Sequence, residues 1–472
     1  MAGRLGTALL SVGVVFAASV GVLPTPQPAA AAPRPNILLI TTDDMTKADL
    51  RWMPNTRRLL RNAGVAVGDF ISNHPLCCPA RAEILTGQYG HNNGVRDNQG
   101  PSGGYQALQQ RGNHVGAWLR ATGYRTALVG KHLNHWERTA EHQPGWTVLD
   151  TIMRNVYRPK NLTLFNNGRP RRFRDVYTAD LIGGRTVRYI KRFSASKAPF
   201  FIWTSHVAPH NSYLDGRWRP PVPAPRHRGL YPNAMPPSLS SPAFNEADVR
   251  DKPPYVRRTT KVSRLKMITL HRARIRSLRA VDEQVRAAVS ALRATGELRN
   301  TYVFFTSDNG YLMGEHRLRG KNVPYEPALR VPLLVRGPGL RAGTDRAATY
   351  GMVDLAPTFV ALAKATPGRR LDGRSIMPAL RTGARGYGHY LIQGGNDGGG
   401  WWWRGVRSSR YVYVRYTGGF EELYDRAKDP AELRNVAHRP AYARVRSDLA
   451  VRLSALEQCS GNSCRTGGGA GP

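Results

Sequence analysis

Four apolar runs of seven or eight residues each end in polar side chains, and this pattern most narrows the folds open to the chain. They cover residues 35–42, 124–130, 199–205 and 301–307. Near-continuous apolar runs of this length are typical of parallel strands that are buried on both faces. A helical pattern covers 268–295, and Gly296 is placed to end it. Strands that alternate with helices predict an α/β fold built on an open, largely parallel sheet.

Polar side chains follow each of these runs within five residues. They are Asp43 and Asp44, Lys131 and His132, His210, and Asp308 and Asn309. Ligands of open α/β sheets bind beyond the carboxyl ends of the strands, so these side chains are predicted to converge on one crevice. Carboxylate and amide oxygens are hard ligands, and the two acidic pairs therefore favour a calcium or magnesium site.

The pattern changes after Gly388 to short alternating strands. Four such segments, at 390–393, 405–407, 410–416 and 421–425, precede a helical pattern over 441–456. A small antiparallel sheet with one helix packed on it is therefore predicted. Because 472 residues exceed one ordinary core, we predict a catalytic α/β domain over 33–385 and a C-terminal α+β subdomain over 386–472.

Residues 1–32 are predicted to be a signal peptide. Arg4 supplies a basic start, an apolar run covers 8–23, and the segment ends in alanines at 29–32. An uncleaved membrane anchor is the alternative, although the apolar run is short for a bilayer span. No other run is long and apolar enough to cross a membrane. The mature chain is expected to be secreted or kept in the cell envelope.

The four cysteines divide into two pairs by position. Cys459 and Cys464 flank a Ser-Gly-Asn-Ser segment, a spacing that suits a small disulfide loop in an exported protein. Cys77 and Cys78 are adjacent, and neighbouring cysteines reach disulfide geometry only with strain. This second pair is left over, which fits the chemical modification of one of its members.

The formal net charge of +37, from 69 basic and 32 acidic residues, predicts attraction to polyanions such as sulfated glycans or an anionic envelope. A coding bias toward arginine is the alternative explanation. The basic residues are scattered along the chain, and no recognised nucleic-acid-binding motif accompanies them. A nucleic-acid partner is therefore not expected.

The segment around Cys77 carries the most specific motif. It reads Cys77-Cys-Pro-Ala-Arg81 and continues as Leu-Thr-Gly at 85–87. This pattern resembles the type I sulfatase signature, with Ala80 where that family usually has serine. The resemblance implies an alkaline-phosphatase-like fold, in which helices sandwich a large, mixed, mostly parallel sheet. It also implies that a formylglycine-generating enzyme oxidises Cys77 to formylglycine, the aldehyde that carries the family's chemistry.

The resemblance also assigns the metal site. In the sulfatases, the residues matching Asp43, Asp44, Asp308 and Asn309 hold one divalent cation, usually calcium, together with the formylglycine oxygen at position 77. Magnesium is the other cation that such oxygen ligands accept. A cation is needed because the sulfate ester must be bound while charge develops on it.

A further match concerns Lys131, which in the family holds the sulfate. The segment Gly-Lys-His-Leu at 130–133 resembles the family's Gly-Lys-x-His-Leu element, shortened by one residue. Because of this shift, the histidine role in that element, which is to support the aldehyde-derived oxygens, falls to His132 or Asn134, and His132 is the candidate base for sulfate release.

The remaining candidates are Arg81, His210 and Lys321. Arg81 belongs to the Cys77 motif and is expected to make the attacking hydroxyl more acidic. His210, in Ala-Pro-His, resembles the histidine that approaches the leaving oxygen. Lys321, in Gly-Lys-x-x-x-Tyr-Glu, resembles the lysine that contacts the sulfate. Either His210 or Lys321 could protonate the leaving oxygen.

The resemblance runs from about residue 35 to about 437, and the segments at 307–318 and 330–339 are most similar to the N-acetylglucosamine-6-sulfatase branch. The predicted function is that of a secreted sulfatase for sulfated sugars, such as N-acetylglucosamine 6-sulfate in heparan- or keratan-type chains. Small sulfate esters are also expected substrates. Two alternatives stay open: a phosphate or phosphonate ester hydrolase of the same superfamily, and a catalytically inactive protein that binds sulfated glycans.

Overall fold

The computed structural model describes residues 1–3, 6–14, 34–384, 386 and 388–466. Two units divide between residues 33 and 34. In the first unit, residues 1–3 and 6–14 form neither helix nor strand, and the rest of the predicted signal peptide lies outside the described residues. Among the described helices, none combines the length and the apolar character needed to span a bilayer.

The second unit is built on a ten-stranded sheet. In chain order the strands up to residue 351 are β1 Asn36–Thr42, β2 Val65–Ile71, β3 Arg125–Gly130, β4 Val148–Arg154, β5 Leu162–Asn166, β6 Arg169–Phe173, β7 Phe200–Ser205, β8 Ser212–Leu214, β9 Arg217–Arg219, β10 Thr301–Ser307, β11 Leu312–Met313, β12 Arg319–Gly320, β13 Arg330–Arg336 and β14 Thr344–Gly351. β8 with β9 and β11 with β12 form two separate hairpins. The large sheet has the order β14-β2-β13-β10-β1-β7-β3-β4-β5-β6.

The central strands β10, β1, β7, β3 and β4 are all parallel. The neighbouring strands β13 and β5 run antiparallel to them. The four predicted apolar runs are β1, β3, β7 and β10, and each begins within one residue of the predicted start. The prediction of a large, mixed, mostly parallel sheet is therefore confirmed, and the carboxyl ends of these four strands share one edge.

Helices cover both faces of this sheet. The described helices are α1 Pro54–Thr56, α2 Cys77–Thr86, α3 Gly90–Asn93, α4 Val115–Ala121, α5 Thr178–Ser194, α6 Pro254–Arg257, α7 Arg264–Ala294, α8 Glu326–Leu329, α9 Leu355–Ala363, α10 Met377–Thr382, α11 Ala443–Leu456 and α12 Ser463–Thr466. Helices α5 and α7 pack on one face, and α2, α4 and α9 pack on the other. The predicted helix at 268–295 is α7, which begins earlier because the Ser263 side chain caps its first turn.

A four-stranded antiparallel meander follows, with strands β15 His389–Gly395, β16 Trp401–Ser408, β17 Tyr411–Tyr416 and β18 Glu421–Asp425. Helix α11 packs on it through Leu449, Leu453 and Leu456. The predicted small sheet with its helix is confirmed, as is the Cys459–Cys464 disulfide. The domain division at 385/386 stays a prediction.

Candidate active site

The two acidic pairs meet at the sheet edge because β1 and β10 are adjacent and parallel. Thr42 pairs with Ser307, so the residues that follow lie side by side. The Asp44 backbone N–H donates to Asp308 Oδ1 at 3.1 Å, and Asn309 Nδ2 donates to Asp44 Oδ1 at 2.7 Å. All four side chains of the two pairs are buried. The predicted convergence of these ligands is present.

Cys77, the first residue of α2, faces these acids. Its thiol donates to Asp43 Oδ1 at 3.1 Å. Burial, together with the Asp43 carboxylate, raises the pKa of Cys77, so the sulfur is a neutral thiol. Cys78 belongs instead to the apolar core on that side of the sheet. Position 77 is therefore the one of the pair that points into the crevice.

Three cationic side chains line the crevice. Arg81, one turn after Cys77 on α2, has its Nε 2.8 Å from Asp308 Oδ2. Lys131 Nζ lies 2.6 Å from Asp43 Oδ2. Lys321 Nζ donates to Asp44 Oδ1 and lies 2.7 Å from the sulfur of Cys77. Three carboxylates and three cations thus face one another, and the crevice is close to neutral.

The pairing decides the protonation of these groups. Burial alone would raise the pKa of Asp43, but its positively charged neighbours, with Lys131 foremost, together outweigh burial, and the pKa lies well below its ordinary value. The pKa of Asp44 is lowered in the same way, because Lys321 and His210 together outweigh the effect of burial. Burial and the neighbouring Asp43 raise the pKa of Asp308 to about 6. At neutral pH all three carboxylates are therefore mainly ionised.

His210 stands at the rim, with its Nε2 3.7 Å from Asp44 Oδ2. Its Nδ1 is 2.8 Å from the Asn211 carbonyl oxygen, which can only accept a hydrogen bond, so Nδ1 carries a proton. Burial lowers the pKa of His210 despite the nearby carboxylates, which leaves Nε2 free to exchange a proton. Tyr157 stacks on this ring at 4.3 Å and accepts a hydrogen bond from Asn134 Nδ2. No sequence signal marked Tyr157.

His132 is not brought into the cluster. Gly130 turns the chain with φ +102°, and a Cβ there would lie 2.1 Å from a carbonyl oxygen of β7. The following His132 ring then packs against Trp136, with Nε2 2.8 Å from Gln143 Oε1 and Nδ1 accepting from the Leu133 N–H. Burial lowers its pKa to about 4. Both ring nitrogens are occupied away from Cys77.

The residues present fit a hard divalent cation. Asp43, Asp44, Cys77 and His210 each offer one ligand atom, and these four atoms lie within 4.8 Å of one another. Asn309 Oδ1 is buried and has no hydrogen-bond partner. A buried oxygen without a partner is costly, and a cation is the kind of ligand that satisfies it. Asp43, Asp44, Asp308 and Asn309 offer oxygen donors, the type that calcium and magnesium prefer.

Known proteins share both the sequence pattern and the fold. A family model described as Sulfatase matches residues 35–365. A second, described as N-sulphoglucosamine sulphohydrolase, C-terminal, matches residues 314–459. Together the two matches span the ten-stranded sheet, the crevice and the small antiparallel sheet.

Individual relatives agree with this. An arylsulfatase of Volvox carteri is 33% identical, over 92% of this chain and 76% of its own length. The N-acetylglucosamine-6-sulfatase of Homo sapiens is 29% identical, over 93% of this chain and 87% of its own length. A solved structure of BT4656 in complex with its substrate D-glucosamine-2-N,6-O-disulfate has a TM-score of 0.76 at 22% identity and covers 90% of this chain and 98% of that one. This last likeness shows the fold.

Proposed function

The chain belongs to the sulfatase family and is a sulfuric ester hydrolase, and from that premise we propose that it removes sulfate from sulfated sugars through a formylglycine derived from Cys77. The position of Cys77 carries the proposal. Its sulfur lies between Asp43 Oδ1, at 3.1 Å, and Lys321 Nζ, at 2.7 Å. The reacting group would thus sit between acids suited to a cation and a lysine suited to a sulfate.

The modification itself would require a formylglycine-generating enzyme as a partner. Cys77 suits it because it lies in a Cys-x-Pro-x-Arg motif, whereas Cys78 points into the core and the other cysteines form a disulfide. Hydrated formylglycine supplies an oxygen nucleophile for sulfur and a second hydroxyl that permits sulfate release. Arg81 would keep positive charge beside position 77 while that oxygen attacks.

Asp43, Asp44, Asp308 and Asn309 would hold a calcium ion, with magnesium as the alternative. The unpartnered Asn309 Oδ1 and the three buried carboxylates support this set. Such an ion would offset charge on the sulfate oxygens and make the attacking hydroxyl more acidic. It would also make the crevice net positive, which favours an anionic ester.

Two lysines are suited to bind the sulfate oxygens. Burial would lower the pKa of Lys131, but its acidic neighbours, with Asp43 foremost, together outweigh burial and keep the ammonium charged. The acidic neighbours of Lys321, with Asp44 foremost, have the same effect on its ammonium group. Either the Lys321 ammonium or His210, once its Nε2 has taken up a proton, would then pass a proton to the leaving oxygen.

The histidine role of the shortened Gly-Lys-x-His-Leu element concerns His132 and Asn134. Asn134 fits the supporting, hydrogen-bonding part of that role better, because its Nδ2 lies 3.4 Å from the hydroxyl of Tyr157 at the rim, but a carboxamide cannot act as the base for sulfate release. Both ring nitrogens of His132 are already engaged elsewhere.

The substrate class is proposed to be 6-sulfated glucosamine units of extracellular glycans. The named activity of the human relative and the net charge of +37 support it. Secretion through the predicted signal peptide would bring the enzyme to such chains.

Hydrolysis rates on N-acetylglucosamine 6-sulfate, an aryl sulfate and an aryl phosphate test the proposal, with protein made alongside a formylglycine-generating enzyme. We expect both sulfate esters to be cleaved and the phosphate to be cleaved much more slowly. Faster cleavage of the phosphate would favour a phosphate or phosphonate ester hydrolase. Saccharide binding without any sulfate release would favour a glycan-binding protein.

A further inference from the structure

A short hairpin lies beside the candidate site. Strand β8 begins two residues after His210, and β9 returns antiparallel to it. Tyr213 and Trp218 are directly opposite each other in this register, so both side chains lie on one face of the hairpin. Their ring centroids are 5.1 Å apart.

Trp218 connects this pair to the crevice. Its ring is edge-on to those of Tyr157 and His210, at centroid distances of 5.2 and 5.4 Å. Tyr157 stacks on His210 and also has Lys131 Nζ 5.0 Å from its ring centre. An aromatic surface therefore leads outward from the lysine proposed to bind the sulfate.

Both outer rings are open to solvent. Trp218 is 55% exposed and Tyr213 is 43% exposed. Among the large hydrophobic residues that are exposed in the described part of the chain, these two are the only aromatic ones. A single exposed apolar residue needs no explanation. Two aromatic rings in contact beside a catalytic crevice are, in contrast, typical of a ligand-binding surface.

We propose that Tyr213 and Trp218 form a subsite that stacks against the saccharide on the leaving-group side of the sulfate ester. A pyranose ring has C–H faces that pack on flat aromatic rings, while its hydroxyl groups stay in water. His210 is placed to meet the leaving oxygen and contacts Trp218, so the first sugar would reach Trp218 and the next would reach Tyr213. The subsite rests on the proposed function, since it names the kind of alcohol released.

Steady-state kinetics of Trp218→Ala on a sulfated disaccharide, a sulfated monosaccharide and an aryl sulfate test the subsite. We expect KM for the disaccharide to rise about tenfold while kcat stays within about twofold. Tyr213→Ala should raise only the disaccharide KM, by about threefold. Leu214→Ala, on the other face of the same hairpin, is the matched control and should change none of these constants.

An equal fall in kcat on all three substrates would mean that Trp218 only supports His210, and the subsite would be wrong. An unchanged disaccharide KM would overturn it as well. Failure of the proposed function would give a different result from failure of the subsite: the unaltered enzyme would cleave the aryl sulfate but neither saccharide. Calorimetry of the disaccharide on the Cys77→Ala chain decides that case: adding Trp218→Ala should weaken the Kd about tenfold, and equal Kd values would refute the subsite.

Discussion

Two buried clusters of opposite charges differ in how completely their polar atoms are paired. One is the crevice around Cys77. The other, here called the inter-sheet cluster, consists of Asp69, Glu326, Arg407 and Arg426 and joins the large sheet to the small one. Arg407 lies 2.5 and 2.6 Å from the two carboxylate oxygens of Asp69 and 2.9 Å from Glu326. Arg426 lies 2.9 Å from Glu326.

The difference lies in the unpaired atoms. Among the described residues, no buried side-chain nitrogen or oxygen of the inter-sheet cluster is without a hydrogen bond. The crevice, in contrast, leaves Asn309 Oδ1 and Arg81 Nη2 without a hydrogen bond. Since unpaired buried groups cost free energy, complete pairing indicates a structural role and incomplete pairing indicates a place for a ligand. Charge alone does not separate the two clusters.

The largest expected effect comes from Cys77→Ala. We expect turnover of an aryl sulfate to fall at least about a thousandfold, because the reacting group is removed. The melting temperature should stay close to that of the unaltered chain. Cys78→Ala is the matched control: it trims the core and should lower stability while leaving turnover per folded molecule unchanged. Equal losses of turnover in the two variants would contradict the assignment.

Lys131→Ala tests whether the cationic side chains of the crevice bind the sulfate. Loss of one charge that binds the sulfate should lower kcat/KM by about a hundredfold or more. Lys252 is a comparable buried lysine, paired with Glu246 at 3.2 Å and Asp251 at 3.1 Å. Its replacement by alanine should destabilise the fold and spare kcat/KM, and a similar kinetic loss in both variants would remove the distinction.

Arg407→Ala, in the inter-sheet cluster, is expected to lower stability without lowering activity. The buried Asp69 and the largely buried Glu326 lose a partner, so the free energy of unfolding should fall by about 3–5 kcal/mol, measured with denaturant. The kcat/KM per folded molecule should not change. A kinetic defect without a stability defect would show that the inter-sheet cluster serves the reaction.

The free energy of unfolding at acidic pH should also depend on the ion pair between Asp69 and Arg407. Burial would raise the pKa of Asp69, but Arg407, together with Thr349 and Arg426, outweighs burial and lowers the pKa from 3.8 to about 2. A carboxyl group whose pKa is lowered in the folded protein stabilises the fold at pH values above its ordinary pKa. This contribution is lost as the pH falls toward the pKa of the folded state. The stability difference between the unaltered chain and Arg407→Ala should therefore shrink between pH 3.8 and about 2, and a constant difference would argue against the pair.

The smallest effect is expected for His132→Gln. Because both ring nitrogens are engaged away from Cys77, kcat/KM should change by less than about fivefold, with some loss of stability from the broken bond to Gln143. His210→Gln should lower kcat/KM by about a hundredfold. A larger kinetic loss at His132 than at His210 would place His132 in the reaction.

The sequence was sufficient where local pattern and chemistry coincide. The apolar runs of β1, β3, β7 and β10 are distinctive because strands buried on both faces need continuous apolar residues. Because Asp43 and Asp308 directly follow two of these strands, the sequence also predicted that the two carboxylates lie close together. The inter-sheet cluster joins residues more than 250 positions apart, such as Asp69 and Arg407, and no periodicity marks such pairs.

Orientation was harder to predict than position. The sequence placed His132 directly after Lys131, yet the turn at Gly130 directs one side chain to the core and the other to Asp43. Tyr157 and Trp218 reach His210 from other segments of the chain, and that contact depends on tertiary packing. Such contacts become visible only in the folded chain.

Mass spectrometry of the peptide spanning residues 70–96, from protein that hydrolyses an aryl sulfate, tests the central claim most directly. We expect position 77 to carry an aldehyde, seen as the mass change from –CH2SH to –CHO, with Cys78 unmodified. An intact thiol at Cys77 in the active protein would contradict the formylglycine mechanism.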